Sequence, residues 1–257
     1  MLLAIDAGNT NLTLGAYNGD TLVLQARLAT DRRLTSDQLA MQIAQALRLY
    51  RVEAGDCKDA VISSVVAELT NALAKAAQTL TGKEPLVLAP GVKTGLNIRI
   101  DNPAQLGADL IATAVAAKAH HPLPCLIVDL GTATKISAVG ADGSFLGCSI
   151  AAGLAISLEA MAVFTSALPR VAFQAPPHAI GTNSVDSMQS GTVFGTAAMI
   201  DGMCARFEQE MGASAATVIA TGGLSRDIIR HCSREILHSP DLALQGLKEI
   251  YRRNRGI

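Results

Sequence analysis

The amino-acid sequence predicts an α/β fold of two similar halves, each with a mixed β-sheet flanked by helices. One supporting observation is a repeated strand–turn–strand module, "LLAIDAGNTNLTLGAYNGDTLVL" and later "CLIVDLGTATKISAVGADGSFLG". In each copy an apolar strand ends in an aspartate, Asp6 or Asp129. Glycine and small polar residues follow, and Asn18-Gly19 or Asp142-Gly143 turns the chain after a second strand. The spacing from aspartate to turn differs by a single residue between copies, which argues for internal duplication. Strand-like and helix-like segments alternate after each module. Three turns at strand ends, "DAGNTN", "DLGTAT" and "TGG", carry glycine.

The segments follow in order. "LTSDQLAMQIAQALRLY" places Leu39, Ile43, Leu47 and Tyr50 at helical spacing behind a cap at Thr35 or Ser36. "DAVISSVV" predicts a strand, "ELTNALAKAAQTLTG" a helix closed by Gly82, and "PLVLA" a strand. The apolar "LGADLIATAVAAKAH" predicts another helix, with Asp109 at its start. The second half adds helices at "GLAISLEAMAVFTSAL" and "SVDSMQSGTVFGTAAMIDGMCARFEQEM". "TVIATGGLSRDIIRHC" reads as strand, Gly-Gly turn and helix. A domain boundary near "HHPLPC" divides the chain into 1–121 and 122–257, with His120 and His121 as linker residues.

Composition narrows the function. Of 257 residues, 49% are apolar and 17% charged, enough for a sizeable core. The net charge of -1 and the 3% of aromatic residues argue against a nucleic-acid partner. The basic "RRNRG" reads as a solvated helix end or tail. The five cysteines show no metal-ligand spacing, and Cys125 and Cys148 are expected to be small buried apolar residues. Met188, Met199 and Met203, at helical spacing, are expected in the core. No apolar run is long enough for a membrane span, and the apolar start is too short for a signal peptide. A soluble cytoplasmic protein is expected, with no membrane partner.

The three turns suit phosphate chemistry. Gly8 lets a phosphate approach the backbone, and the amides and side chains of Asn9, Thr10 and Asn11 are donors. Asp6, at the strand end, is a ligand for a hydrated magnesium ion. Asp129, Gly131, Thr132 and Thr134 repeat this chemistry, with the unexpected cation Lys135 next to them. Gly222 and Gly223 allow adenine or ribose to approach the backbone. Single turns of this kind are common without ligands, but two in register and a third favour nucleotide binding. Neither GxxxxGK[ST] nor GxGxxG is present. Asp109 is open to two readings: a helix cap worth about 1 kcal/mol, or a base that orients a hydroxyl group.

These residues resemble the type III pantothenate kinases. The resemblance rests on "DAGNTN", "ISSVV", "PGVKTGLNI", "DNP", "GAD", "VDLGTAT", "DGSFLG", "SALP", "IGTNSVDSMQSG", "IDGM" and "VIATGGLS", in order along nearly the whole chain. It implies two ribonuclease-H-like domains of the actin-like superfamily and ATP-dependent phosphorylation of the pantothenate hydroxyl. This is the entry step to coenzyme A. It also implies a homodimer with active sites at its interface, magnesium, and a monovalent cation, potassium or ammonium.

By position, the resemblance assigns ATP contacts to Asp6, Ala7, Gly8, Asn9, Thr10, Asn11, Leu12, Thr13, Thr132, Gly222 and Gly223. Asp6 is also assigned to magnesium, Asp129 to potassium and Asp109 to the general base. The acceptor would meet Gly107, Ala108, Asp109, Leu110, Ile100 and Ser184. Three positions depart from the family: Leu110 replaces its usual Arg, Ile100 its Tyr and Ser184 its Thr. An arginine paired with the pantothenate carboxylate is worth about 1.5–3 kcal/mol, and Leu110 cannot supply that bond. Ser184 has a second reading as a polar cap on the helix it opens. A kinase for another small hydroxy compound and a non-catalytic nucleotide-binding regulator are the alternative functions.

Overall fold

The computed structural model describes residues 1–256, with eleven β-strands and seven α-helices among them, numbered here in chain order. The chain forms two compact units. The first comprises Met1–Leu96, Asp101–Ala119 and the segment from Asp241 onward; the second comprises Asn97–Ile100 and His120–Pro240.

The first unit is built on a five-stranded sheet ordered β3-β2-β1-β4-β5. Strand β1 (Leu2–Ala7) runs antiparallel to β2 (Asn11–Asn18) and parallel to β4 (Asp59–Ser64). Strand β3 (Thr21–Ala29) pairs with β2, and β5 (Leu86–Val87) with β4. The Asn18-Gly19 turn holds Gly19 at φ 59°, a conformation glycine adopts without steric cost. Helix α1 (Ser36–Leu49) starts at Thr35, whose hydroxyl accepts the Gln38 amide while the Gln38 side chain accepts the Thr35 amide. Helix α2 (Ala67–Thr81) ends at Gly82 in the left-handed region, as its sequence predicts.

Alternation along β1 separates the two faces of this sheet. Leu3, Ile5 and Ala7 pack with Leu39, Ile43 and Leu47 of α1 and with Leu69 and Leu73 of α2. Ala4, Tyr17 and Val61 face the opposite way. They are covered by Ala112 and Val115 of α3 (Ala108–His120) and by Leu244, Leu247 and Ile250 of α7 (Leu242–Arg255). Asp6 has the parity of Ala4, so it belongs to the face that α3 and α7 cover.

In the second unit the sheet order is β11-β10-β7-β8-β9-β6. Strands β7 (Cys125–Leu130), β8 (Ala133–Val139) and β9 (Ser144–Ala152) form the repeated module, with β6 (Asn97–Ile98) alongside β9. Strand β10 (Thr217–Thr221) runs parallel to β7, and β11 (Leu237–His238) parallel to β10. Leu126, Val128 and Leu130 of β7 pack with Val193, Ala197 and Ile200 of the long helix α5 (Ser184–Met211). Helices α4 (Leu154–Phe164) and α6 (Ser225–Ile229) complete the unit. Met188 is buried, and Met199 and Met203 lie against this core, as their spacing predicts.

Two details differ from the sequence-based expectation. The segment from Asp241, expected in the second half, packs in the first unit, because the apolar face of α7 fills the sheet face around Ala4 and Val61. Its "RRNR" arginines do form a helix end, closed by Gly256. Cys148 is only half-buried, because β9 borders a cavity of about 340 Å³ that Phe207 and Met211 also line. Cys125 is buried as expected, which pushes its thiol up to about 12. No helix among the described residues is long and apolar enough to cross a membrane.

Candidate active site

The first glycine turn closes the end of β1. The Gly8 amide donates to the Asn11 carbonyl at 2.9 Å, a tight reversal that leaves Asn9, Thr10 and Asn11 exposed. Thr30, just beyond β3, pins the turn from outside: its hydroxyl donates to the Gly8 carbonyl at 2.7 Å and its amide to the Thr10 carbonyl at 2.9 Å. Arg32 Nη2 donates to Asn9 Oδ1 at 3.0 Å, placing a half-exposed guanidinium beside the turn. The sequence alone does not single out Arg32. Its local sequence, "DRRL", carries no motif, and only the return of β3 to this end brings it to Asn9.

Asp6 stands in register between Thr13 of β2 and Ser63 of β4. In-register neighbours share a sheet face, so a carboxylate and two hydroxyl groups face the same side. The Ser63 hydroxyl is fully buried and has no hydrogen-bond partner among the described residues. Hard oxygen donors of this kind fit a partly hydrated magnesium ion.

Asp109 lies close to the same strand ends. The Gly107 carbonyl accepts the first helical bond of α3 from Ile111 at 3.1 Å, so Asp109 sits inside the first turn rather than at the N-cap. Its Oδ1 accepts the Leu110 amide at 2.8 Å. A Cβ added to Gly107 would stand 2.6 Å from that oxygen and 3.9 Å from Val65 Cγ1. Val65 in turn donates its amide to the Ala7 carbonyl at 3.0 Å. The end of β1, the residue after β4 and the start of α3 therefore meet, and Asp6 and Asp109 serve the same end of this unit's sheet. Ala108 is half-buried, while Leu110 is only 7% exposed and belongs to the interior. Leu12 is buried within β2.

The second glycine turn, at the end of β7, is built from backbone approaches. The Gly131 amide donates to the Ala133 carbonyl at 3.2 Å, and Gly131 and Thr132 are exposed. A Cβ on Gly153 would stand 2.6 Å from the Gly131 carbonyl oxygen and overlap that of Thr132. Gly222, at φ 96°, lies so close to Leu130 that a Cβ would be 2.8 Å from its nitrogen. The Ser225 hydroxyl donates to the Gly222 carbonyl at 2.7 Å, holding the "TGG" turn, and Gly223 is exposed. Thr134 is buried in β8.

Asp129, which the family resemblance assigns to potassium, is already matched with a cation. Lys135 Nζ lies 2.7 Å from Asp129 Oδ2, with both side chains largely withdrawn from solvent. A second monovalent cation does not fit this donor set, because the carboxylate charge is balanced and like charges repel.

Ser184 is the first residue of α5 and is exposed; the N-cap is Asn183, whose Oδ1 accepts the Asp186 amide at 2.9 Å. The capping role read for Ser184 thus belongs to its neighbour. Ile100 is half-buried, two residues past β6.

A family model described as type III pantothenate kinase matches residues 2–206. A type III pantothenate kinase from Myxococcus xanthus is 43% identical, covering 99% of this chain and 99% of the relative. One from Exiguobacterium sibiricum is 41% identical over 99% of this chain and 100% of its own length. Among solved structures, a Campylobacter jejuni protein described as a Baf family transcriptional activator superposes with TM-score 0.66 at 19% identity, covering 99% of this chain and 100% of its own. A Sinorhizobium meliloti protein described as a 2-dehydro-3-deoxygalactonokinase gives 0.58 at 16% identity, covering 98% and 96%. These two likenesses concern the fold, which they share in its mixed sheets and flanking helices.

Proposed function

The chain belongs to the type III pantothenate kinase family, and we propose that it transfers the γ-phosphoryl group of ATP to the pantothenate hydroxyl, the first step of coenzyme A synthesis. One observation carries the site assignment: Asp6 and Asp109 converge on one strand end, beside a glycine turn with exposed donors. Phosphoryl transfer depends mainly on positioning and charge neutralisation, which rigid turns and fixed carboxylates supply.

In this reading the Gly8 turn leaves room for phosphate oxygens, and Asn9, Thr10 and Asn11 donate to them. Asp6, Ala7, Leu12 and Thr13 fix that turn on the sheet. Asp6, with Thr13 and Ser63 in register beside it, would hold magnesium, which would neutralise phosphate charge. Asp109 accepts the proton of the attacking hydroxyl, held by the Leu110 amide and free of a side chain at Gly107. Gly107 and Ala108 border the acceptor, and the buried Leu110 offers it no charge.

A cytoplasmic homodimer is part of the proposal. The second unit exposes Ile156, Val163, Phe164 and Ile180, an apolar set that supports self-association. Sedimentation velocity showing only monomers would remove it. The central test is phosphopantothenate formation from ATP and pantothenate in magnesium. Asp109→Asn should lower turnover by about a hundredfold or more while ATP affinity is kept. Turnover of other hydroxy acids in preference to pantothenate would reassign the acceptor.

A further inference from the structure

The internal duplication allows one residue pair to be read against its own copy. In the first unit, Asp6 faces Thr13 on β2 and Ser63 on β4. In the second, Asp129 faces Lys135 on β8 and Thr221 on β10. Register therefore puts a lysine where the first copy has a threonine. The Lys135 ammonium lies 2.7 Å from Asp129 Oδ2, and the two side chains are 15% and 18% exposed.

Lys135 carries the same single positive charge as potassium, delivered on a strand whose register is set by six consecutive cross-strand pairs with β7. The neighbouring turn is equally constrained, since Gly153 and Gly222 press against the backbone of residues 130–132. A free cation must be bound from solution and lose water, whereas this one is tethered. A potassium ion added beside it would meet like-charge repulsion in a partly desolvated position.

Resting on the kinase reading above, we propose that Lys135 replaces the monovalent cation expected at Asp129, so that phosphoryl transfer by this chain needs no potassium. The ammonium neutralises Asp129 and supplies the fixed positive charge next to the Thr132 turn. It is a positioning residue and takes no proton from substrate.

The test compares initial rates of phosphopantothenate formation in a tetramethylammonium buffer with and without potassium. The wild-type rate is expected to change by less than about twofold. Lys135→Ala is expected to lose about tenfold or more without potassium and to recover with potassium, ammonium or methylammonium. A wild-type rate that needs potassium, or a Lys135→Ala rate unmoved by its loss, overturns the proposal. Lys135→Gln replaces the alanine variant if thermal unfolding shows that the latter has lost its fold.

Thallium(I) binding gives a readout independent of turnover. Wild type should bind none at Asp129, and Lys135→Ala should gain one site that potassium competes for. Wild-type thallium binding that disappears in Asp129→Asn also overturns the proposal. If pantothenate is not phosphorylated under any condition, the kinase reading fails, and thallium binding alone decides the role of Lys135.

Discussion

The Asp109 carboxylate occupies the space that a Gly107 side chain would fill: a Cβ there would lie 2.6 Å from Oδ1. Gly107→Ala should therefore turn Asp109 away from its present position while leaving α3 intact. A fall in kcat of about tenfold or more, with a melting temperature close to wild type, is the expected result. An unchanged kcat would show that this carboxylate position is irrelevant to turnover.

Arg32 reaches the phosphate turn through Asn9 and also lies 3.7 Å from Glu68. Its exposure limits its value for stability, so its loss should appear in nucleotide binding. Arg32→Ala is expected to raise the KM for ATP about three- to tenfold with little change in kcat, measured by steady-state kinetics.

The packing of α7 on α3 depends on one missing side chain. A Cβ on Gly246 would overlap the Ala112 carbonyl oxygen, and backbone cannot yield as a side-chain tip can. Gly246→Ala should cost about 1–3 kcal/mol in urea unfolding, through displacement of α7 from the first unit.

Glu208 gives a stability that depends on pH. Arg234 donates to both its oxygens, at 3.2 and 3.0 Å, and Ala215 donates its amide at 3.1 Å. The Arg234 bonds, then the amide bond, hold its carboxyl below the usual carboxylate range. The unfolded glutamate titrates near pH ~4.3, so this contribution is fully present above that pH. It is lost as pH falls through the unfolded pKa and then the lower folded one. Glu208→Gln should remove about 1.5–3 kcal/mol at neutral pH and less in acid, read by denaturant unfolding across pH.

Much of this was legible along the chain. Alternation and the Asn-Gly and Asp-Gly turns located both modules, and Thr35 and Gly82 bounded their helices as their chemistry requires. Asp6, Asp109 and Asp129 stood out because each follows or precedes an apolar run with glycine beside it. Strand β5 was read from "PLVLA", whereas β6 and β11 were harder to read. At two residues each, their pairing depends on a neighbouring strand rather than on a period of their own.

Local order, set by short-range sterics and by the burial of periodic apolar faces, thus follows from residues near one another in sequence. Pairings between distant residues do not. That α7 completes the first unit, that Arg32 reaches Asn9, and that Leu110 turns inward were decided by which surfaces remained to be buried once the sheets had formed. Lys135 was visible as an unexpected cation, but its engagement of Asp129 came from strand register, which brings the two residues face to face.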